Sequence, residues 1–358
     1  MFSSNHYSEQ HGGLSPRELR RYGINPADLI DFSVNSNPFG PSPSVLNKIN
    51  SVDISKYPDP EAFLAREALA SACKTDADHL LLGNGTSELI WLCAQALIHP
   101  GEPALILGPT FSEYRRALEA MGAEPEEIRA NPPNFEIPIL KILHKVRSMR
   151  PKLLFLCNPN NPTGALLDKE SLRQISETCG SDTILIVDEA YSAFVDGQCF
   201  SSLPTANSLI LRSMTKDFAL AGLRLGYALG SKDLIQRLKD KQPTWSVNAV
   251  AQAAALAVLE DLPYYQTCFE QLHQLKSRFF SGMRTIGIAI NDSATHYGVF
   301  QTNAAAKLIR GALLRMGIQV RDCASFGLPH NIRISTQLES SNRLLLDALI
   351  NLIKGKTI

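Results

Sequence analysis

The sequence predicts an α/β fold built on a mostly parallel sheet, and three observations carry that expectation. Short apolar runs alternate with helical stretches from about Asp59 to Ile210. The runs are apolar at consecutive positions, as strands covered on both faces by helices must be. At 358 residues, 44% hydrophobic and 20% charged with 22 Gly and 21 Pro, the chain has the size and composition for one large globular domain and a smaller second one.

Along the chain the pattern predicts a helix over 61–71, an extended run over 79–82, a helix over 88–98 and an extended run over 104–107. Leu153-Leu154-Phe155-Leu156-Cys157 reads as a strand, 169–178 as a helix, and 183–187 and 208–211 as two more strands. Ligands of such a sheet sit outside the carboxyl ends of its strands. Beyond Gly230 the chain turns helical over 232–239 and from 249 through about 284, with a strand pair near 298–302 and 331–335. The expected division is an arm over 1–40, a large domain over 41–240 and a small α+β domain over 241–358.

Charge and cysteine usage exclude several classes. Lys+Arg and Asp+Glu balance at 35 each, so no global field attracts nucleic acid or an anionic membrane, and a small molecule is the expected partner. Met1–Gln10 is polar where a secretory leader needs an apolar run, and no later apolar stretch is long enough to span a bilayer, which predicts a cytoplasmic protein. The 7 cysteines (73, 93, 157, 179, 199, 268 and 323) form no C-x-x-C pair, and reduced, mostly buried thiols are expected, with no metal.

Four segments at the ends of predicted strands carry candidate chemistry. Asn158-Pro159-Asn160-Asn161-Pro162-Thr163-Gly164 is, by itself, a turn. Val187-Asp188-Glu189-Ala190-Tyr191 places an acidic pair at a strand end, which a helix N-terminus alone would explain. In Arg212-Ser213-Met214-Thr215-Lys216 and Gly222-Leu223-Arg224, a lysine lies between a hydroxyl and a guanidinium suited to a phosphate dianion. Gly83-Asn84-Gly85-Thr86-Ser87 opens a helix whose first amides can bind phosphate.

In this order the four segments resemble the fold type I enzymes that use pyridoxal 5′-phosphate (PLP), the aspartate aminotransferase superfamily, over nearly the whole chain. The resemblance implies a seven-stranded sheet and a PLP cofactor held by Lys216 as a Schiff base, with the same lysine serving as acid and base at Cα. It implies that Asp188 pairs with the ring nitrogen, keeping the ring an electron sink. Asn161 and Tyr191 then bond the phenolic oxygen, Phe111 stacks on the ring, and Gly85, Thr86, Ser213 and Arg224 hold the phosphate. Tyr57, in Lys56-Tyr57-Pro58-Asp59, resembles the residue that reaches a neighbouring subunit's phosphate, which implies a homodimer with shared sites.

Within that superfamily the chain is similar to the histidinol-phosphate aminotransferase group and closest to the threonine-phosphate decarboxylases. The similarity rests on His11-Gly12-Gly13, Asp31-Phe32-Ser33 with Asn35 and Asn37-Pro38, Trp245-Ser246-Val247-Asn248 and Arg321-Asp322-Cys323. Arg333 matches the arginine that clamps the substrate carboxylate. Three departures stand out: Leu14 replaces an asparagine, Val34, Ser36 and Phe39 interrupt the usual run, and no second arginine follows near Thr336 and Gln337. The last puts a phosphorylated substrate in doubt.

Glu9, two residues before His11, is then either a solvated charge on the terminus or the partner of a cationic substrate side chain, with His11 as a packed histidine, a substrate contact or a proton carrier. Three readings of a free L-α-amino-acid enzyme stay open: a lyase on the decarboxylase scaffold with an altered phosphate pocket, an eliminase of a hydroxylated basic amino acid such as hydroxyarginine, and a histidinol-phosphate-type aminotransferase. A scaffold kept only for regulation or binding is a fourth, and no appended DNA-binding segment supports it.

Overall fold

A computed structural model describes Gly13, residues 15–195 and residues 206–355. After the short strand β1 (Ile30–Asp31), the strands β2 (Leu80–Asn84), β3 (Pro103–Gly108), β4 (Glu124–Arg129), β5 (Leu153–Cys157), β6 (Ile184–Asp188), β7 (Ser208–Ser213) and β8 (Leu225–Gly230) form one seven-stranded sheet in the order β2-β8-β7-β6-β5-β3-β4. Only β8 runs antiparallel to its neighbours.

The consecutive apolar residues that predicted the central strands divide between two faces. Leu153 and Phe155 of β5 enter a core with Leu89, Ile106, Ile186 and Leu211. Leu154 and Leu156 enter the opposite core with Leu105, Ile142, Ile175 and Val187. This is the period of two of a pleated strand, with helices on each side. One of these, Lys169–Cys179, starts at Asp168, whose side chain accepts from the Ser171 amide at 2.7 Å.

Two features departed from the expected pattern. β4 reads Glu124-Pro125-Glu126-Glu127-Ile128-Arg129 and buries only Ile128 fully, so it carries no apolar signal. It pairs only with β3 at the sheet edge, where proline and charge are tolerated and deter further pairing. The predicted helical run over 249–284 is two helices, Ala249–Glu260 and Leu262–Thr285. Pro263, in the first turn of the second, has no N–H with which to continue the first.

The smaller sheet is antiparallel. Its strands are β9 (Tyr297–Gln301), β11 (Arg321–Asp322) and β12 (Asn331–Ser335), in the order β11-β12-β9, while β10 (Ile318–Gln319) pairs in parallel with β1. Phe32, Phe279, Ile309, Leu313, Ile332, Ile334, Leu345 and Leu349 form its core, so the segment after β1 belongs to this body. Among the described residues no helix is long and apolar enough to cross a membrane.

Candidate active site

The carboxyl ends of β5, β6 and β7 face β12 across a cavity of about 220 Å³. At one end, β2 passes into the helix Gly85–Leu97. Gly85 has φ +75°, and a Cβ there would lie 2.7 Å from Arg224 Nη2, so only glycine lets the guanidinium approach the helix start. Thr86, Ser87, Ser213, Thr215 and Arg224 line this end. The Ser213 and Thr215 hydroxyls are 2.6 Å apart. A guanidinium, several hydroxyls and the first amides of a 13-residue helix make a donor set for a phosphate dianion.

Asp188 closes β6 in the middle of the cavity. Its Oδ2 accepts from the Tyr114 hydroxyl at 2.7 Å and its Oδ1 from the Ala190 amide at 3.0 Å. Burial raises its carboxyl to about 6, against the downward pull of those bonds. Lys216 faces the same space, and its amine is lowered to about 8, first by burial and then by the Arg224 and Arg333 charges. Burial raises the Tyr191 hydroxyl to about 12, so it stays a donor at neutral pH.

A phosphate cup, an amine with a depressed pKa, a buried carboxylate, a phenol and the Phe111 ring match the phosphate, aldehyde, ring nitrogen, phenolic oxygen and ring face of PLP. The residues present fit that cofactor.

The opposite wall belongs to the small sheet. Arg333 of β12 donates to Asn161 Oδ1 and to the Ser33 carbonyl, and its buried Nε has no hydrogen-bond partner among the described residues. Directly across the ladder, Arg321 of β11 is in register with Arg333 and lines the same cavity. Arg321 Nη2 donates to Ser325 Oγ at 2.6 Å, and its guanidinium lies 5.4 Å from the Phe326 ring centroid. Burial, then the Arg333 charge, lowers it to about 10, so it remains a cation at neutral pH. Two buried guanidiniums on one wall make a site for an anion.

The fold thus gathers Thr86, Phe111, Asn161, Asp188, Tyr191, Ser213, Lys216, Arg224 and Arg333 around one cavity, with Gly85 against Arg224. Tyr57 lies apart, 82% exposed, with its ring centroid 4.9 Å from that of Trp245. Glu9 and His11 fall outside the described residues. Sequence reasoning gave no role to Tyr114, Cys157 or Arg321, all of which line the cavity. Tyr114 had a local signal, lying three residues after Phe111 at the start of a helix, and Arg321 lay in the motif Arg321-Asp322-Cys323, which by itself assigned it no task. Arg321 precedes Arg333 in the chain and meets it through strand pairing.

The sequence model of the family described as aminotransferase class I and II matches residues 27–349. A histidinol-phosphate aminotransferase of Symbiobacterium thermophilum is 32% identical over 328 residues, which cover 90% of each chain. The structure of the Sinorhizobium meliloti histidinol-phosphate aminotransferase in complex with PLP superposes with a TM-score of 0.87 at 24% identity, over 99% of each chain. L-threonine-O-3-phosphate decarboxylase of Porphyromonas gingivalis shares the fold with a TM-score of 0.77 at 24% identity, over 90% of this chain and 99% of that one. A cavity that fits PLP and a family match spanning both bodies lead to one conclusion: the chain belongs to the aminotransferase class I and II family and is a PLP-dependent enzyme of fold type I.

Proposed function

We propose that the enzyme is an aminotransferase of the histidinol-phosphate type, acting on an amine whose far end carries a phosphate. The observation that carries this reading is the cross-strand pair Arg321 and Arg333 on the substrate wall. The 32% identical histidinol-phosphate aminotransferase supports it. The pair also supplies the second guanidinium whose absence after Arg333 had argued against a phosphorylated substrate. Two buried cations repel a cationic side chain, so elimination on a hydroxylated arginine is disfavoured.

PLP, when bound, supplies the electron sink for the pair left at Cα as its proton departs. The residues do the rest. Arg224, Ser213, Thr86 and the helix start at Gly85 hold the cofactor phosphate, and Phe111 covers the ring. Asp188 holds a proton on the ring nitrogen, and Tyr191 and Asn161 orient the phenolic oxygen. The Lys216 amine, with its pKa near 8, both takes and returns a proton at Cα close to neutral pH. Arg321 and Arg333 fix the substrate's anion. The exposed Tyr57 and Trp245, in ring contact, together with the exposed Ile54, Phe63 and Leu64 of the same stretch of chain as Tyr57, favour a homodimer in which Tyr57 completes the partner's phosphate cup.

A second reading, decarboxylation of threonine phosphate, is favoured by Trp245-Ser246-Val247-Asn248 and uses the same arginine pair. Incubation with histidinol phosphate and 2-oxoglutarate, and separately with phosphothreonine, separates the two. Glutamate from the first mixture is the expected result. Carbon dioxide from the second without glutamate from the first would replace transamination by decarboxylation.

A further inference from the structure

A second cavity of about 310 Å³ lies between the edge of the large sheet and the small domain, lined in part by Arg115, Arg116, Arg129, Glu127 and Phe326. Its arginines do not form an anion site, because carboxylates occupy them. Arg116 pairs with Glu113. Glu127 takes Arg129 Nη1 at 2.6 Å on one oxygen and Arg115 Nη2 at 3.4 Å on the other. Arg129 uses its remaining end differently: Nη2 crosses to the small domain and donates to the Phe326 carbonyl.

Phe326 also lines the candidate active site, so its ring is part of the partition between the two cavities. The turn that carries it, Ala324–Phe326 followed by Gly327, supplies two of Arg321's contacts, the Ser325 hydroxyl and the Phe326 ring. Gly327 is fitted to the crossing. Its φ is +73°, and a Cβ there would stand 2.9 Å from Arg129 Nη2.

We propose that Arg129 is a positioning residue for Arg321: by gripping the Phe326 carbonyl from the edge strand β4, it holds the turn that aims the Arg321 guanidinium at the substrate's anion. Glu127 fixes the orientation of Arg129, and the 310 Å³ cavity is the space into which the Phe326 ring is free to shift when that grip is lost. The inference rests on the reading that Arg321 binds the anion.

The test compares holoenzymes of Arg129→Gln, Arg129→Lys, Gly327→Ala and Arg321→Gln. It reads the Kd of inorganic phosphate by calorimetry alongside KM and kcat. Loss of one charge-assisted hydrogen bond predicts about a tenfold rise in Kd and KM for Arg129→Gln, with the loss falling on KM rather than kcat. Gly327→Ala is expected to move the same way, and Arg129→Lys to recover part of the loss. If Arg321→Gln weakens phosphate binding while Arg129→Gln and Gly327→Ala leave it unchanged, the positioning role is overturned and the anion reading stands. If Arg321→Gln itself leaves it unchanged, both are overturned.

Discussion

The two ends of the cavity are built in opposite ways. The cofactor end is assembled from short contiguous segments at strand ends of one sheet, each presenting its residues through a local turn or helix start. The substrate end depends on the register between β11 and β12 and on contacts from the large domain, through Asn161 and Arg129, onto the small one. The first end is a matter of local backbone geometry. The second exists only when two bodies are docked.

The largest effect is expected at the docked end. Arg333→Ala removes one of the two guanidiniums on the substrate wall and should lower kcat/KM by about a thousandfold, borne mostly by KM, in steady-state assays. A loss of only a few-fold would place the substrate's anion elsewhere and dissolve the contrast between the ends.

Next comes Asp188, where stability and function oppose one another. Its folded pKa of about 6 lies above the ordinary 3.8, so its favourable contribution is present below that ordinary value and is lost as pH rises through about 6. At pH 7 the apoprotein therefore holds a buried carboxylate at a cost of about 3 kcal/mol. Apo Asp188→Asn should be more stable than wild type by that order in urea unfolding at pH 7, with the two curves converging below pH 4. The same variant should bind PLP more weakly. Equal apo stability at pH 7 would mean that the carboxylate is better solvated than its surroundings imply.

A smaller effect is expected at the cup. Gly85→Ala forces a Cβ toward Arg224 at a positive φ and should weaken PLP binding about tenfold, measured by titrating apoenzyme. Unchanged affinity would show that the cup tolerates displacement of Arg224. The smallest is a shift of midpoint. In apoenzyme the Lys216 amine should react with an acylating reagent with a midpoint near pH 8, and a midpoint close to 10 would remove the effect of burial and of its arginine neighbours.

How much of this was legible in the sequence follows the same division. Asp188, Lys216 and Asn161 were readable because each lies in a contiguous motif at the end of an apolar strand, and a parallel sheet brings such strand ends together, whereas Arg224 reaches the same edge by standing just before the antiparallel β8. β4 was not readable, because an edge strand needs no apolar face. Arg321 was read as part of a motif but given no task, because its neighbour Arg333 is 12 residues away in the chain and adjacent only through pairing of Arg321 with Arg333.

Hydrophobic periodicity and turn chemistry act over a few residues, so the α/β layering and the groups that fit the cofactor could be read along the linear chain. That two arginines share one wall, that Tyr114 supports Asp188, and that Arg129 reaches the turn beside Arg321 emerged from the folded molecule alone. Strand register and domain docking are set by the packing of distant segments, which no local pattern of residues encodes.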